Sequence, residues 1–319
     1  MNIYPKDFCI FVASHVSKVQ RLDYLTICLK SLIYQELKIP IYLSISFENE
    51  LLKEGFEKQH SEFDNLCSFL NVNYMKDKTS QMRHYYELLK KNGNNHKWIM
   101  FCDDDDTYEP TRTFLFAKYL TYGEEQVEKP KYIMSGAYEG EENHRQKRHE
   151  YWTYCVKNTI MNEFYKEIEN HAEIMDNKCC DVLFGEFLRR KNENHIFLQI
   201  KHKCYNYRIE ENSGSITAFI QSKQNKYTIN SKPPAEEDEN WEKYKNDWES
   251  FVLENIEVFL HDTYLKTIVG FTLEDIIKGE FLHNYKLLDK INYEPKERIE
   301  KLYYYLRSVC NKIFDTKLS

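Results

Sequence analysis

Short apolar runs alternate along this chain with stretches in which apolar residues return every three or four positions. Phe8 to Ala13 is an unbroken apolar run of strand length ending at Ser14-His15, and Leu22, Leu25, Leu29, Leu32 and Ile33 follow at helical spacing, so a strand, a loop and a helix are predicted. Ile39 to Phe47, rich in β-branched and aromatic residues, predicts a second strand with Glu48-Asn49 at its end. Val72 to Met75 predicts a short third strand, Gln81 to Lys91 a helix, Trp98 to Cys102 a fourth strand and Tyr132 to Ser135 a fifth. Tyr151 to Ile160 reads as a strand, Phe164 to Ile174 as a helix, and a further helix opens at Asp181 with Val182, Leu183, Phe187 and Leu188 on its buried face. Strands alternating with helices predict an α/β fold with a mostly parallel sheet flanked by helices. Ligands of such sheets collect beyond the carboxyl ends of the strands, which is where Ser14, Glu48, Lys78 and Asp103 are expected.

From Lys223 to Glu239 the composition turns polar, with Pro233-Pro234 and an acidic Glu236 to Glu239 run. The expected organisation is therefore a domain over 1–225, a linker over 226–239 and a helical accessory region over 240–319. In that region Ile299, Leu302, Tyr303, Leu306, Val309, Cys310 and Ile313 share one stripe of an amphipathic helix. Such a tail either forms a homodimer or shapes an acceptor site, and the sequence leaves both open.

Composition narrows the classes. With 319 residues and 42% hydrophobic content the chain can bury a sizeable core. A net charge of -7 argues against a nucleic-acid partner held through phosphates. Nine cysteines without a C-x-x-C pair are expected to be reduced and mostly buried. Neither a signal-type segment nor an apolar stretch of transmembrane length is present in the sequence, so a cytoplasmic protein without a transmembrane segment is expected.

The chemistry concentrates at Asp103-Asp104-Asp105-Asp106, directly behind the apolar run Trp98 to Cys102. Adjacent carboxylates repel one another, and a strand delivering them to its end suits a hard divalent cation, Mg2+ or Mn2+, shared with substrate diphosphate oxygens. The competing interpretation is a solvated acidic turn with an Asp as helix N-cap and Pro110 soon after. The basic run His144 to His149 is read as a solvated loop rather than a diphosphate clamp.

The succession of strand, Ser14-His15, Arg21, a helix carrying Leu29-Lys30-Ser31-Leu32 and Gln35, the stretch Phe101 to Pro110, and later a lone acidic residue heading a helix resembles the GT-A glycosyltransferases, particularly the inverting family 2 type, over residues 5 to 220. The resemblance implies a Rossmann-like nucleotide-diphospho-sugar transferase fold and a nucleotide-sugar donor, UDP-sugar favoured, with a glycan or glycoconjugate hydroxyl as acceptor. It places Ser14, His15 and Arg21 against the nucleotide, Glu48 at the base, Lys78 or Arg83 at base or phosphate, and Asp103 and Asp104 near the ribose. Its Asp-x-Asp falls on Asp103 and Asp105 with the metal at Asp105 and Asp103; the run of four leaves Asp104 and Asp106 as other registers. The catalytic base it implies is Asp181, although Cys180 stands where the family has an acidic residue, so Asp176 and Glu186 stay open. Tyr207-Arg208 and Ser213 sit where the family often closes a loop over the diphosphate. An ionised Asp, of ordinary pKa about 3.9, suits proton abstraction from an attacking hydroxyl near neutral pH.

Three rivals remain. A sugar-phosphate nucleotidyltransferase would want a glycine-rich first loop, and Ser14 to Lys18 holds no glycine. A metal-dependent phosphohydrolase would draw on His195 and His202 as further ligands. A non-catalytic carbohydrate-binding protein would be expected to lack the acidic motif.

Overall fold

The computed structural model of the chain describes residues 3–64, 68–126, 132–140, 150–208, 237–281 and 294–315. The chain divides into two compact units, Met1–Arg208 and Ile209–Ser319. In the first, strands β1 (Phe8–Val16), β2 (Ile41–Phe47), β3 (Leu70–Tyr74), β4 (Trp98–Asp103), β6 (Ile133–Glu139), β7 (Tyr154–Lys157) and β8 (His195–Ile200) form one sheet in the order β3-β2-β1-β4-β7-β6-β8. Strand β1 pairs in parallel with both β2 and β4, β2 with β3, and β6 with β8; β7 alone runs antiparallel to its neighbours β4 and β6. The sheet is thus mixed and mostly parallel, as the alternation of runs predicts. Helices α1 (Val19–Ile33), α2 (Glu50–Asp64), α3 (Gln81–Asn92), α4 (Arg112–Gln126), α5 (Asn158–Ile168), α6 (Ala172–Met175) and α7 (Cys180–Arg189) accompany it. A second, two-stranded ribbon pairs β5 (Thr107–Tyr108) antiparallel with β9 (Tyr205–Asn206).

The unbroken apolar runs are the central strands, and both of their faces are covered: Phe8 to Val12 and Trp98 to Cys102 are all at most 1% exposed. The α1 stripe Leu22, Leu25, Leu29, Leu32 and Ile33 packs into the same core. Each such aliphatic or aromatic side chain contributes about 1.5–3 kcal/mol on burial. The segment Tyr151 to Ile160 departs from the strand reading. Tyr151–Thr153 is a 3-10 turn, only Tyr154–Lys157 is strand, and Asn158 already begins α5. Asn158 switches the chain because its side-chain amide donates to the carbonyls of Gly93 (3.1 Å) and His96 (2.8 Å), contacts that a local pattern does not encode.

A buried ion pair ties the start of α4 to the end of β6. Arg112, 0% exposed, lies 2.7 Å from Glu139, 4% exposed, and donates to the Trp152 carbonyl at 2.8 Å. Glu139 also accepts from the Cys204 backbone N–H at 3.0 Å. Removing one member of a buried pair strands the other, so Arg112→Ala is expected to cost about 3–5 kcal/mol in a urea titration; a loss below about 1 kcal/mol would mean that Glu139 is not held as a buried charge.

In the second unit, α8 (Trp241–Glu254), α9 (Ile256–Val269), α10 (Leu273–Phe281) and α11 (Glu294–Ile313) are described. Gly270, at φ 110°, ends α9 with its N–H on the Lys266 and Thr267 carbonyls, a left-handed cap that glycine adopts without steric cost. Of the expected stripe, Ile299, Tyr303, Leu306, Val309, Cys310 and Ile313 are buried and Leu302 is half-buried. No helix among the described residues is long and apolar enough to cross a membrane. The eight described cysteines are buried thiols. Most of the expected linker, the basic run His144 to His149 and Ser213 lie outside the described residues.

Candidate functional site

Strand β4 ends at Asp103, beside Ala13 of β1 in the parallel register, and the chain turns with the Asp106 N–H on the Asp103 carbonyl at 3.1 Å before entering β5. All four carboxylates therefore gather at the carboxyl end of the middle of the sheet. Their partners separate them into two kinds. Asp104, 5% exposed, accepts from Ser14 Oγ at 2.5 Å on one oxygen and from Arg21 on the other. Asp106, 1% exposed, accepts from the Arg208 backbone N–H at 2.7 Å and from the Tyr205 hydroxyl at 2.8 Å. Asp103 and Asp105 are half-buried, and each is engaged through one oxygen only. Asp103 Oδ1 accepts from Gln81 Nε2 at 2.8 Å and from the Tyr151 hydroxyl, and Asp105 Oδ2 accepts from Arg21 Nη1 at 2.7 Å. Asp103 Oδ2 and Asp105 Oδ1 receive no hydrogen bond from a described residue.

Crowding carboxylates in a partly dry turn is electrostatically costly, and Arg21 is the cation paired with them among the described residues. Burial pushes Asp104 up to about 6, against the opposing pull of Arg21 and with help from Asp105. Burial likewise pushes Asp106 up to about 6, although the Arg208 N–H and Tyr205 hydroxyl favour its charged form. Asp103 is held well above the carboxylate range by burial first and by Asp106 next, with Asp105 and Asp181 adding to the repulsion.

The sign of the pH dependence follows. Between about pH 4 and 6 the folded chain holds protons on Asp104 and Asp106 that the unfolded chain has released, so their contribution to stability declines as pH rises through that window. In Asp106→Asn the amide can still meet both the Arg208 N–H and the Tyr205 hydroxyl but cannot ionise. Wild type is therefore expected to lose about 2–3 kcal/mol relative to this variant between pH 4 and pH 7, read from urea midpoints; parallel pH profiles would show that Asp106 ionises freely.

On the β2 side of the cluster lies a polar chain. His15 bonds Ser46 Oγ (2.9 Å) through Nδ1 and Glu48 (3.0 Å) through Nε2, and the buried His84 bonds Ser44 (2.8 Å) and Ser46 (3.3 Å). Burial, with His15 as neighbour, lowers His84 to about 4, which keeps it neutral near pH 7. Lys78 stands 3.9 Å from Glu48 in a largely exposed pair, worth little by itself. Arg83 is engaged elsewhere on the rim, in a two-pronged contact with Asp176 at 2.6 and 2.7 Å that draws the Asp176 carboxyl below its ordinary range. Glu186, 1% exposed, is taken by Arg189 and Arg190. Asp181 lies in the first turn of α7, half-buried, and its charge is felt at Asp103.

On the opposite, β7 side three aromatic rings line up. Trp152 stacks on Tyr205 with centroids 4.3 Å apart and planes 18° apart, and on Tyr207 at 5.6 Å and 9°. The Tyr205 hydroxyl, besides donating to Asp106, accepts the Asp103 backbone N–H at 3.0 Å. Gln81, Tyr151, Trp152 and Tyr205 escape a sequence reading, because isolated aromatic and amide residues far apart in the chain carry no motif. Only the placement of Gln81 on the first turn of a predicted helix hinted at its end of the sheet.

No family model matches the chain, and no curated protein matches it in sequence. Among solved structures, residues 1–349 of S. aureus TarS align over 89% of this chain and 90% of theirs at 12% identity and a TM-score of 0.44. The mannosyltransferase PcManGT from Pyrobaculum calidifontis, solved with GDP-Man and Mn2+, aligns over 97% of this chain and 87% of its own at 11% identity and a TM-score of 0.45. The 4-diphosphocytidyl-2C-methyl-D-erythritol synthase from Anaerococcus prevotii DSM 20548 covers 69% of this chain and 98% of its own at 13% identity and a TM-score of 0.40. Likenesses of this size carry no functional argument.

Proposed function

We propose that the chain is a metal-dependent GT-A-type glycosyltransferase that moves a sugar from a nucleotide diphosphate donor to a hydroxyl of a glycan acceptor, with inversion. One observation carries this reading: among the described residues Asp103 and Asp105 each keep one carboxylate oxygen without a hydrogen bond at the carboxyl end of the central strands, while Asp104 and Asp106 are tied down through both. Among the described residues no three His, Cys, Asp or Glu side chains form a ready-made metal cage. One or two carboxylates suffice for Mg2+ or Mn2+, whose other positions go to water and substrate phosphates, so the donor set fits. Asp103 and Asp105 would hold the ion, which when bound neutralises the diphosphate that departs.

The remaining work falls to protein groups. Ser14 and Arg21 fix Asp104, and Arg21 also orients Asp105 and brings positive charge to the place where phosphate oxygens gather. Gln81 and Tyr151 hold Asp103. The Ser46–His15–Glu48 chain lines the end of β2, where a nucleobase finds donors and acceptors, with Lys78 at its rim. Asp181, in the first turn of α7 and close enough for its charge to act on Asp103, is the base that takes the hydroxyl proton, the role the family resemblance implies for it, with Asp176 and Glu186 both paired with arginines. UDP as the nucleotide rests on the family resemblance alone. The test is a thermal-shift screen against UDP, GDP, CDP and ADP and their sugar conjugates, each with Mn2+ and with EDTA. Stabilisation by one nucleotide diphosphate only with Mn2+, followed by its release from the sugar conjugate, is the expected result. Release of pyrophosphate from a nucleoside triphosphate would favour a nucleotidyltransferase instead, and no response to any of them would overturn the donor site.

A further inference from the structure

Resting on that reading, we propose that the Tyr207–Trp152 stack is an acceptor platform that receives the apolar face of a pyranose ring and so selects a cyclic saccharide over an acyclic hydroxyl. Tyr207 is 57% exposed, with its ring nearly parallel to Trp152. The stack is rigid from behind: Trp152 lies on Tyr205, whose hydroxyl is bonded to the Asp103 N–H and to Asp106, and the buried Arg112 donates to the Trp152 carbonyl and sits 4.9 Å over the Tyr205 ring. A rigid aromatic surface binds with little loss of side-chain freedom. It is also registered to the carboxylates, since Tyr207 stands between Tyr205, whose hydroxyl bonds Asp106 and the Asp103 N–H, and Arg208, whose backbone N–H donates to Asp106 at 2.7 Å.

The order of the sheet assigns the platform to the acceptor rather than to the base. Strand β2 lies on one side of the β1–β4 pair and carries polar groups suited to heteroatom edges. Strand β7 lies on the other side, and the turn leading into it supplies Tyr151 to Asp103 and Trp152 to the stack. What that flank offers a ligand is an aromatic face, which matches the C–H face of a sugar ring.

Saturation-transfer NMR on the full chain with the methyl glycosides of glucose, galactose, mannose and N-acetylglucosamine, with glycerol and uridine alongside, tests this. At least one glycoside is expected to receive saturation, strongest at its ring C–H protons. Its affinity should fall about tenfold in Tyr207→Ala and stay within about twofold in Tyr207→Phe, which keeps the ring, with glycerol silent throughout. The proposal is overturned if no glycoside is saturated, if Tyr207→Ala binds as wild type does, or if the variant loses uridine instead. The donor reading is judged separately, by the nucleotide thermal shifts of the wild-type chain, so the two fail distinguishably.

Discussion

Asp181→Asn is expected to lower the rate of sugar transfer by about 100- to 10,000-fold, the range that general-base catalysis spans, while the nucleotide-dependent thermal shift survives. The asparagine is isosteric but cannot accept the proton of the attacking hydroxyl. Asp181 lies in the first turn of α7, where the interaction of a carboxylate with the helix dipole is worth about 0.3–1 kcal/mol, and the unfolding midpoint measured alongside separates a rate loss from a stability loss. Glu186→Gln provides the contrast. Glu186 is buried and binds two arginines, and its replacement should lower the unfolding midpoint before it touches the chemistry. Full transfer activity in Asp181→Asn would move the base elsewhere. Loss of both nucleotide binding and transfer would make Asp181 part of the donor pocket.

The sheet was legible because its central strands are covered on both faces and therefore read as unbroken apolar runs, Phe8 to Val12 and Trp98 to Cys102. The helix after each run was legible where one face is buried, as in the Leu22 to Ile33 stripe. The ribbon β5–β9 was not. Its strands are two residues long and exist only because Thr107 and Tyr108 meet Asn206 and Tyr205 from a distant part of the chain. The location of the acidic cluster at a strand end was equally plain from sequence, whereas its internal division was hidden. Four identical residues give no local reason to separate Asp104 and Asp106 from Asp103 and Asp105. That distinction comes from Ser14, Arg21, Gln81, Tyr151, Tyr205 and the Arg208 backbone, scattered from the first strand to the end of the first unit. The resemblance placed Lys78 or Arg83 near the donor, and the structure puts Lys78 beside Glu48 and Arg83 on Asp176.

Asp105→Asn and Asp103→Asn are each expected to abolish Mn2+-dependent stabilisation by the nucleotide. A ligand present at a hundred times its dissociation constant stabilises by about 2.7 kcal/mol, a shift of about 5 °C or more for a chain unit of this size, and that shift should vanish. Amide replacements isolate the charge from the architecture. In Asp103→Asn the side-chain carbonyl would still accept from Gln81 and Tyr151, and loss of the Asp105 charge leaves Arg21 paired with Asp104. Both variants should therefore fold, and by relieving repulsion among four adjacent carboxylates they should stand as stable as wild type without metal, or more so. Asp106→Asn is expected to keep the Mn2+ response, because both oxygens of Asp106 are spent on Tyr205 and Arg208. A metal response lost in Asp106→Asn but kept in Asp105→Asn would shift the ligand register by one residue and remove the observation on which the proposed function stands.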